Sequence, residues 1–187
     1  MAGALTFDVR GDTAAIQRTL AGYRNGAPTV IRRALNRTVT PVRARAAREI
    51  AADLKVKPRT ARNALAVRRA TSRALEAAVT ASGQRIPLIE FRARQVKRGV
   101  SYDLGRGRGL APKAFIATMR SGHRGVFKRL GKPRLPIQEL RGPSIPRVFV
   151  QEKIIAALRG EAGRRWAAEV ERQMRYFLSQ QEAPGNG

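Results

Sequence analysis

Ile31, Leu35, Val39, Val42, Ala46, Ile50 and Leu54 are spaced by four or three residues. That spacing holds one apolar stripe on one side of a helix for about seven turns. Pro28 suits the first turn of this helix, and Pro41 inside it predicts a kink. Ahead of it, Asp12 fits the N-cap of a first helix over 13–24. Ile16, Leu20 and Tyr23 would face inward, with an end near Asn25-Gly26. The helical period returns after Pro143 and Pro146. Ile155, Leu158, Ala162, Trp166, Val170, Met174 and Phe177 share one stripe, and Ser144 fits its N-cap. Gly160 and Gly163 lie inside that helix and weaken it. Residues 181–187 read as a frayed tail.

Residues 66–142 follow a different pattern. Gly and Pro recur, and apolar runs are short. Candidate strands cover 65–71, 75–82, 86–93, 99–104, 113–119, 125–130 and 135–140. Val100, Tyr102 and Leu104 alternate with polar residues, as a half-buried strand does. Gly105-Arg106-Gly107-Arg108-Gly109 lies between two such runs and reads as a flexible loop. The order of helices, strands and a final helix predicts an α+β fold. Long N-terminal helices precede a central antiparallel or mixed β-sheet with long basic loops, and a long C-terminal helix follows. One domain spans 1–187: a helical part (1–65), a β-rich basic part (66–142), a C-terminal helix (143–180) and the tail.

Length and composition agree with one domain. The chain has 187 residues and a mass of 20.6 kDa, and 43% of it is hydrophobic, enough to bury a core. It has no cysteine and a single histidine, which excludes disulfide scaffolds, thiolate metal sites and two-histidine chemistry. No apolar run reaches the length of a membrane span, and the first residues lack the basic-then-apolar order of a secretory signal.

Charge changes the picture more. Lys and Arg number 38 against 13 Asp and Glu, a formal net charge of +25. Residues 85–147 hold 16 basic and three acidic side chains, a net +13, whereas residues 148–187 are nearly neutral. Salt bridges within the central segment cannot neutralise it, so an anionic partner is expected.

The candidate chemistry is sparse. His123, in Ser121-Gly122-His123-Arg124-Gly125, has no nucleophile or orienting carboxylate near it in sequence and reads as a turn residue. Gly105–Gly109 lacks the Gly-Lys-Ser/Thr ending of a phosphate-binding loop. Residues 91–147 contain only Asp103 and Glu139 as acids, too few for a metal-dependent nuclease. No catalytic, cofactor or metal site is expected. Residues 49–65 resemble a helix-turn-helix: Ala51 would sit where the helices touch, Val56 after the turn, and Arg59 to Arg62 toward a DNA groove. Lys55 stands where such turns usually carry Gly, and Ala61 is small for a recognition helix.

Longer motifs follow. Pro87-Leu88-Ile89-Glu90-Phe91 precedes Ala93-Arg94-Gln95 and Gly99-Val100-Ser101. Next come Ala114-Phe115-Ile116-Ala117-Thr118-Met119 and Gly122-His123-Arg124-Gly125-Val126-Phe127. Arg134-Leu135-Pro136-Ile137 and Leu140-Arg141-Gly142-Pro143-Ser144-Ile145-Pro146 close the run. Upstream stand Arg33-Ala34-Leu35-Asn36-Arg37-Thr38 and Ala81-Ser82-Gly83. With these residues the chain resembles the phage minor tail protein Z family of tail-completion proteins over about residues 28–150. The resemblance implies a non-enzymatic virion protein at the head–tail junction of the phage, made in the host cytoplasm. It further implies a homo-oligomeric, commonly hexameric, ring. The implied partners are neck proteins (tail terminator, head–tail connector or stopper, tail tube) and the end of the packaged double-stranded DNA. No membrane and no small-molecule substrate enters. It recasts 49–65 as the end of a long helix and its following turn.

Charge partition and resemblance together nominate Arg106, Arg108, Lys113, Arg120, Arg124, Lys128, Arg129, Lys132 and Arg134 for contacts to DNA phosphates or acidic partners. The alternative is a helix-turn-helix or other basic nucleic-acid-binding protein of the host cytoplasm. A ribosomal-type RNA-binding protein would explain the charge but not the 86–149 motifs.

Overall fold

The computed structural model of the protein describes residues 5–83, 85–105 and 107–182. Its elements are β1 (Leu5–Val9), α1 (Ala14–Thr19), α2 (Gly26–Leu54), α3 (Pro58–Asn63), β2 (Leu65–Arg68), β3 (Ala77–Ala81), β4 (Arg85–Pro87) and a 3-10 turn at Leu88–Glu90. There follow β5 (Arg94–Val96), β6 (Gly99–Asp103), β7 (Arg108–Pro112), β8 (Ala114–Thr118), β9 (Arg124–Arg129), β10 (Ile137–Glu139), β11 (Arg141–Ser144), α4 (Ile145–Phe149) and α5 (Glu152–Glu182). Helices and antiparallel sheets together make an α+β fold, as the patterning predicts.

α2 is the spine. All seven stripe residues are buried, and Val30, Ala34, Ala47 and Ala51 widen the apolar face. A face that wide accepts neighbours on several sides, and α2 contacts α1, α3, α4, α5 and the strands β1, β2 and β3. The helix runs through Pro41 as one element. α5 lies along α2, with Ile154 and Leu158 fully buried. Ala162, Trp166, Val170, Met174 and Phe177 follow at helical spacing, half-buried against the same core. Tyr23 meets Phe177 edge to face, with ring centroids 5.7 Å apart. Trp166 covers the chain just after β1, where a Cβ at Gly11 would fall 2.0 Å from its ring.

The strands form four small sheets, in place of the single central sheet expected, and every pairing is antiparallel. Their orders are β1-β3-β2, β11-β4, β5-β6-β7 and β10-β9-β8. β3 is the central strand of the first sheet. Its alanines and Val79 are buried, so both sides are covered, and it packs on α2.

The strand expectations hold in outline, with corrections. The candidate strands do not include β1, β5 or β11. They do not include β7 either, because Arg108 and Gly109 fall in the expected flexible loop; pairing with β6 (Asp103↔Arg108, Gly99↔Pro112) makes them a strand. The expected 86–93 strand ends at Pro87, and the 3-10 turn takes the chain on to Phe91. The first helix ends at Thr19, short of 24; Asp12 does accept the Ala14 N–H at 3.0 Å, although Thr13 is the cap position. α2 starts at Gly26, two residues before Pro28. The C-terminal helix is two helices, with a break at Val150-Gln151. Ser144 caps the shorter one by position, without a side-chain hydrogen bond. Gln181 and Glu182 belong to α5, and the rest of the expected tail lies outside the described residues.

Leu158→Ala empties part of the fully buried α2–α5 contact. It should cost about 3 kcal/mol in urea unfolding, within the range for buried leucines. Leu130→Ala, at a 63% exposed leucine, should cost little.

Candidate polyanion-binding surface

The basic third of the chain is carried by the sheets β5-β6-β7 and β10-β9-β8. Gln95 ties them together. Its Nε2 donates to the Gly99 carbonyl, and its Oε1 accepts the Ile116 N–H, both at 2.9 Å. Lys113 turns the chain from β7 into β8 in the left-handed region (φ 59°), and its N–H donates to the Arg98 carbonyl at 3.0 Å. These bonds gather Lys97, Arg98, Lys113 and Arg129 around one cleft of about 630 Å³ that no acidic residue lines. The Arg129 guanidinium lies 5.3 Å from the centroid of the Phe115 ring, which fixes a long cation over an aromatic face.

The other nominated residues spread from this cleft. Alternation along β9 puts Arg124 and Lys128 on the face of buried Val126, opposite Arg129. Arg120 is exposed in the turn that Met119 and His123 close by a 2.8 Å backbone bond. Lys132 and Arg134 are exposed at the β9–β10 hairpin tip, with Leu130 and Leu135 beside them. Arg108 starts β7, and its Nε donates to the Ser101 hydroxyl at 3.0 Å. Arg106 lies outside the described residues. Of the nine, the cleft unites only Lys113 and Arg129. It adds Lys97 and Arg98, which sequence reasoning did not nominate although both stand in the basic segment. Among the described residues none of the eight forms a salt bridge, since the nearby carboxylates are engaged elsewhere.

Those carboxylates serve structure. Glu139 accepts from His123 Nε2 at 2.7 Å and is held by Arg141 at 3.0 Å, so His123 is a strut between a turn and β10. Asp103 closes the base of the β6–β7 hairpin by accepting the Gly105 N–H at 2.8 Å, with Lys55 at 3.8 Å. The Gly105 amide holds the Asp103 carboxyl below its ordinary value. Lys55, Arg92 and Arg108 add to this against the opposing cost of partial burial. Gly105 is at φ +90°, and a Cβ there would lie 2.5 Å from the Asp53 carbonyl oxygen, so this turn requires glycine. Among the described residues no group of three or more acidic or histidine side chains could hold a metal ion, and no helix is long and apolar enough to cross a membrane.

A family model described as prophage minor tail protein Z matches residues 9–181, nearly the whole chain and well beyond the 28–150 that the motifs cover. The chain belongs to the prophage minor tail protein Z family. Comparison with curated proteins and with solved structures returns no match. In this minor tail protein the helix-turn-helix look of 49–65 has a plain geometry. α2 ends at Leu54, and the capping Lys55 takes the left-handed conformation itself (φ 51°) where a glycine is usual. The segment that follows is a short helix, not only a turn, but α3 has six residues, under two turns. Its Ala61 is buried, and the Thr60 hydroxyl is tied to Glu90 at 2.8 Å. Arg59 and Arg62 are exposed, on a helix too short to lie along a DNA groove as a recognition helix.

Because the native Asp103 carboxyl is below its ordinary 3.8, its contribution to stability is present above that pH and is lost as pH falls through the native value. Urea unfolding at pH 6 and pH 3 should therefore show a smaller acid loss in Asp103→Asn than in the parent protein. An equal loss in both would remove Asp103 from the account.

Proposed function

We propose that this minor tail protein completes the tail at its head-proximal end, as a closed ring of about six copies. In this reading it resides in the virion neck after assembly in the host cytoplasm. Its neighbours are the tail terminator, the connector or stopper, and the tail tube. The cleft of Lys97, Arg98, Lys113 and Arg129 and the hairpin cations around it contact acidic partners or phosphates at the DNA end, without reading bases. The role is structural, with no reaction to catalyse.

The observation that carries this reading is the run of exposed cations from Lys113 to Arg134 without carboxylate partners among the described residues. Six copies of a +25 chain would sum to a charge on the order of +150, which a ring tolerates only when polyanionic neighbours neutralise it. Phosphate contacts supply affinity that is independent of sequence and falls with salt.

Electron microscopy of purified virions, with the chain located by a C-terminal tag, tests this. Density in a closed ring around the channel at the head–tail junction is the expected result. Absence from the particle, or a position along the tail shaft, would overturn it.

A further inference from the structure

A second basic groove lies between α2 and α5, apart from the β5-β6-β7 and β10-β9-β8 sheets. It measures about 890 Å³, in the size range of ligand clefts. Arg32, Arg33 and Arg37 come from α2, Arg69 from the segment after β2, and Arg172 from α5. The one carboxylate in its lining, Glu169, is bound to Arg172 at 2.6 Å, so at least four guanidiniums remain without a carboxylate among the described residues. The walls are pinned. Asn36 brackets Ala70 with two hydrogen bonds, Nδ2 to the carbonyl at 2.9 Å and Oδ1 from the N–H at 2.8 Å, and this fixes the turn that carries Arg69.

Two further features narrow the ligand. Tyr176 is 51% exposed in the groove, with the Arg33 guanidinium 5.6 Å from its ring centroid. Gln173 is only 8% exposed, lines the groove, and makes no hydrogen bond to another described residue. An acidic peptide would use the arginines but has no need of an aromatic platform. An unpaired nucleic-acid strand uses both, phosphates on the cations and a base on the ring, and it supplies acceptors and donors for a free amide.

We propose that the α2–α5 groove binds a single-stranded nucleic-acid segment, with phosphates on Arg32, Arg33, Arg37 and Arg69 and a base stacked on Tyr176. The site shares no residue with the surface assigned to neck partners and duplex phosphates, and it does not require the ring.

Fluorescence anisotropy on the full chain tests it, with a labelled oligo-dT of about 12 nucleotides, within the span of single-strand sites. A duplex of the same length and a poly-glutamate competitor complete the set. Arg33→Gln with Arg37→Gln should weaken oligo-dT binding at least tenfold. It should also lower the slope of log affinity against log salt by about 1.4, at roughly 0.7 per strand phosphate. Tyr176→Ala should weaken oligo-dT about tenfold and leave the duplex unchanged, while Tyr176→Phe keeps the affinity. Arg18→Gln with Arg24→Gln, two exposed arginines outside the groove, removes the same charge and should change oligo-dT binding less than twofold. Equal losses in the two arginine pairs would overturn the proposal in favour of bulk charge. Displacement by poly-glutamate with no effect of Tyr176→Ala would overturn it in favour of an acidic protein segment. Thermal melts of each variant separate loss of binding from loss of fold.

Discussion

Like charge crowded onto a small fold sets the terms for every other part of this protein. With 38 cations and 13 anions, folding brings positive charges closer together than the open chain does. The opposing force is the apolar contact made by α2. Its buried face meets α5 on one side and the β1-β3-β2 sheet on another. Alanines along that face let the elements approach closely, and Ile50, Ile154 and Leu158 fill the remaining volume. Charge therefore sits on an outer layer over a core that carries almost none.

The few acids are placed unequally, and this divides the surface by role. Along α5, Glu161, Glu169 and Glu171 each bind arginines three or four positions away. Glu161, nearly buried, bonds both Arg164 and Arg165. The Arg165 bond leads in holding its carboxyl below the ordinary value, against the cost of burial. That helix is thus largely balanced within itself, and the unpaired arginines of the groove come from α2 and from the segment after β2. In the sheets, Asp103 and Glu139 are spent on closing a hairpin and holding a turn. The exposed lysines and arginines there are left to external anions. A surface so arranged gains from a polyanionic neighbour and loses from isolation.

How far this was legible in the sequence depended on how local each cause was. The α2 stripe could be read because one face of a long helix is buried along its whole length, so the period survives. β6 could be read for the same reason at period two, from Val100, Tyr102 and Leu104. β1 carries the same signal in Leu5, Phe7 and Val9, but over too few residues to stand out from an N-terminal segment. Arg108-Gly109-Leu110 has little strand preference of its own, and pairing with β6 decides its state. α3 stands where the helix-turn-helix look of 49–65 would put a second helix, with Pro58 in its first turn, but the helix is too short to carry a periodic signal. The charge partition nominates nine cations, and the fold brings only Lys113 and Arg129 of them into one cleft. Lys97 and Arg98 join Lys113 and Arg129 only because Gln95 locks two sheets together. The α2–α5 groove had no local sign at all: Arg33 and Tyr176 are far apart in the chain and meet through helix packing.

The fold holds a positive surface that it does not neutralise itself. Thermal unfolding of the isolated protein against ionic strength tests this most directly, in a salt such as sodium chloride whose main effect in this range is screening. The midpoint should climb steadily from low salt to about 0.5 M, as screening relieves the repulsion. A midpoint that falls or stays flat would mean that the charges are already balanced within the fold, and would contradict it.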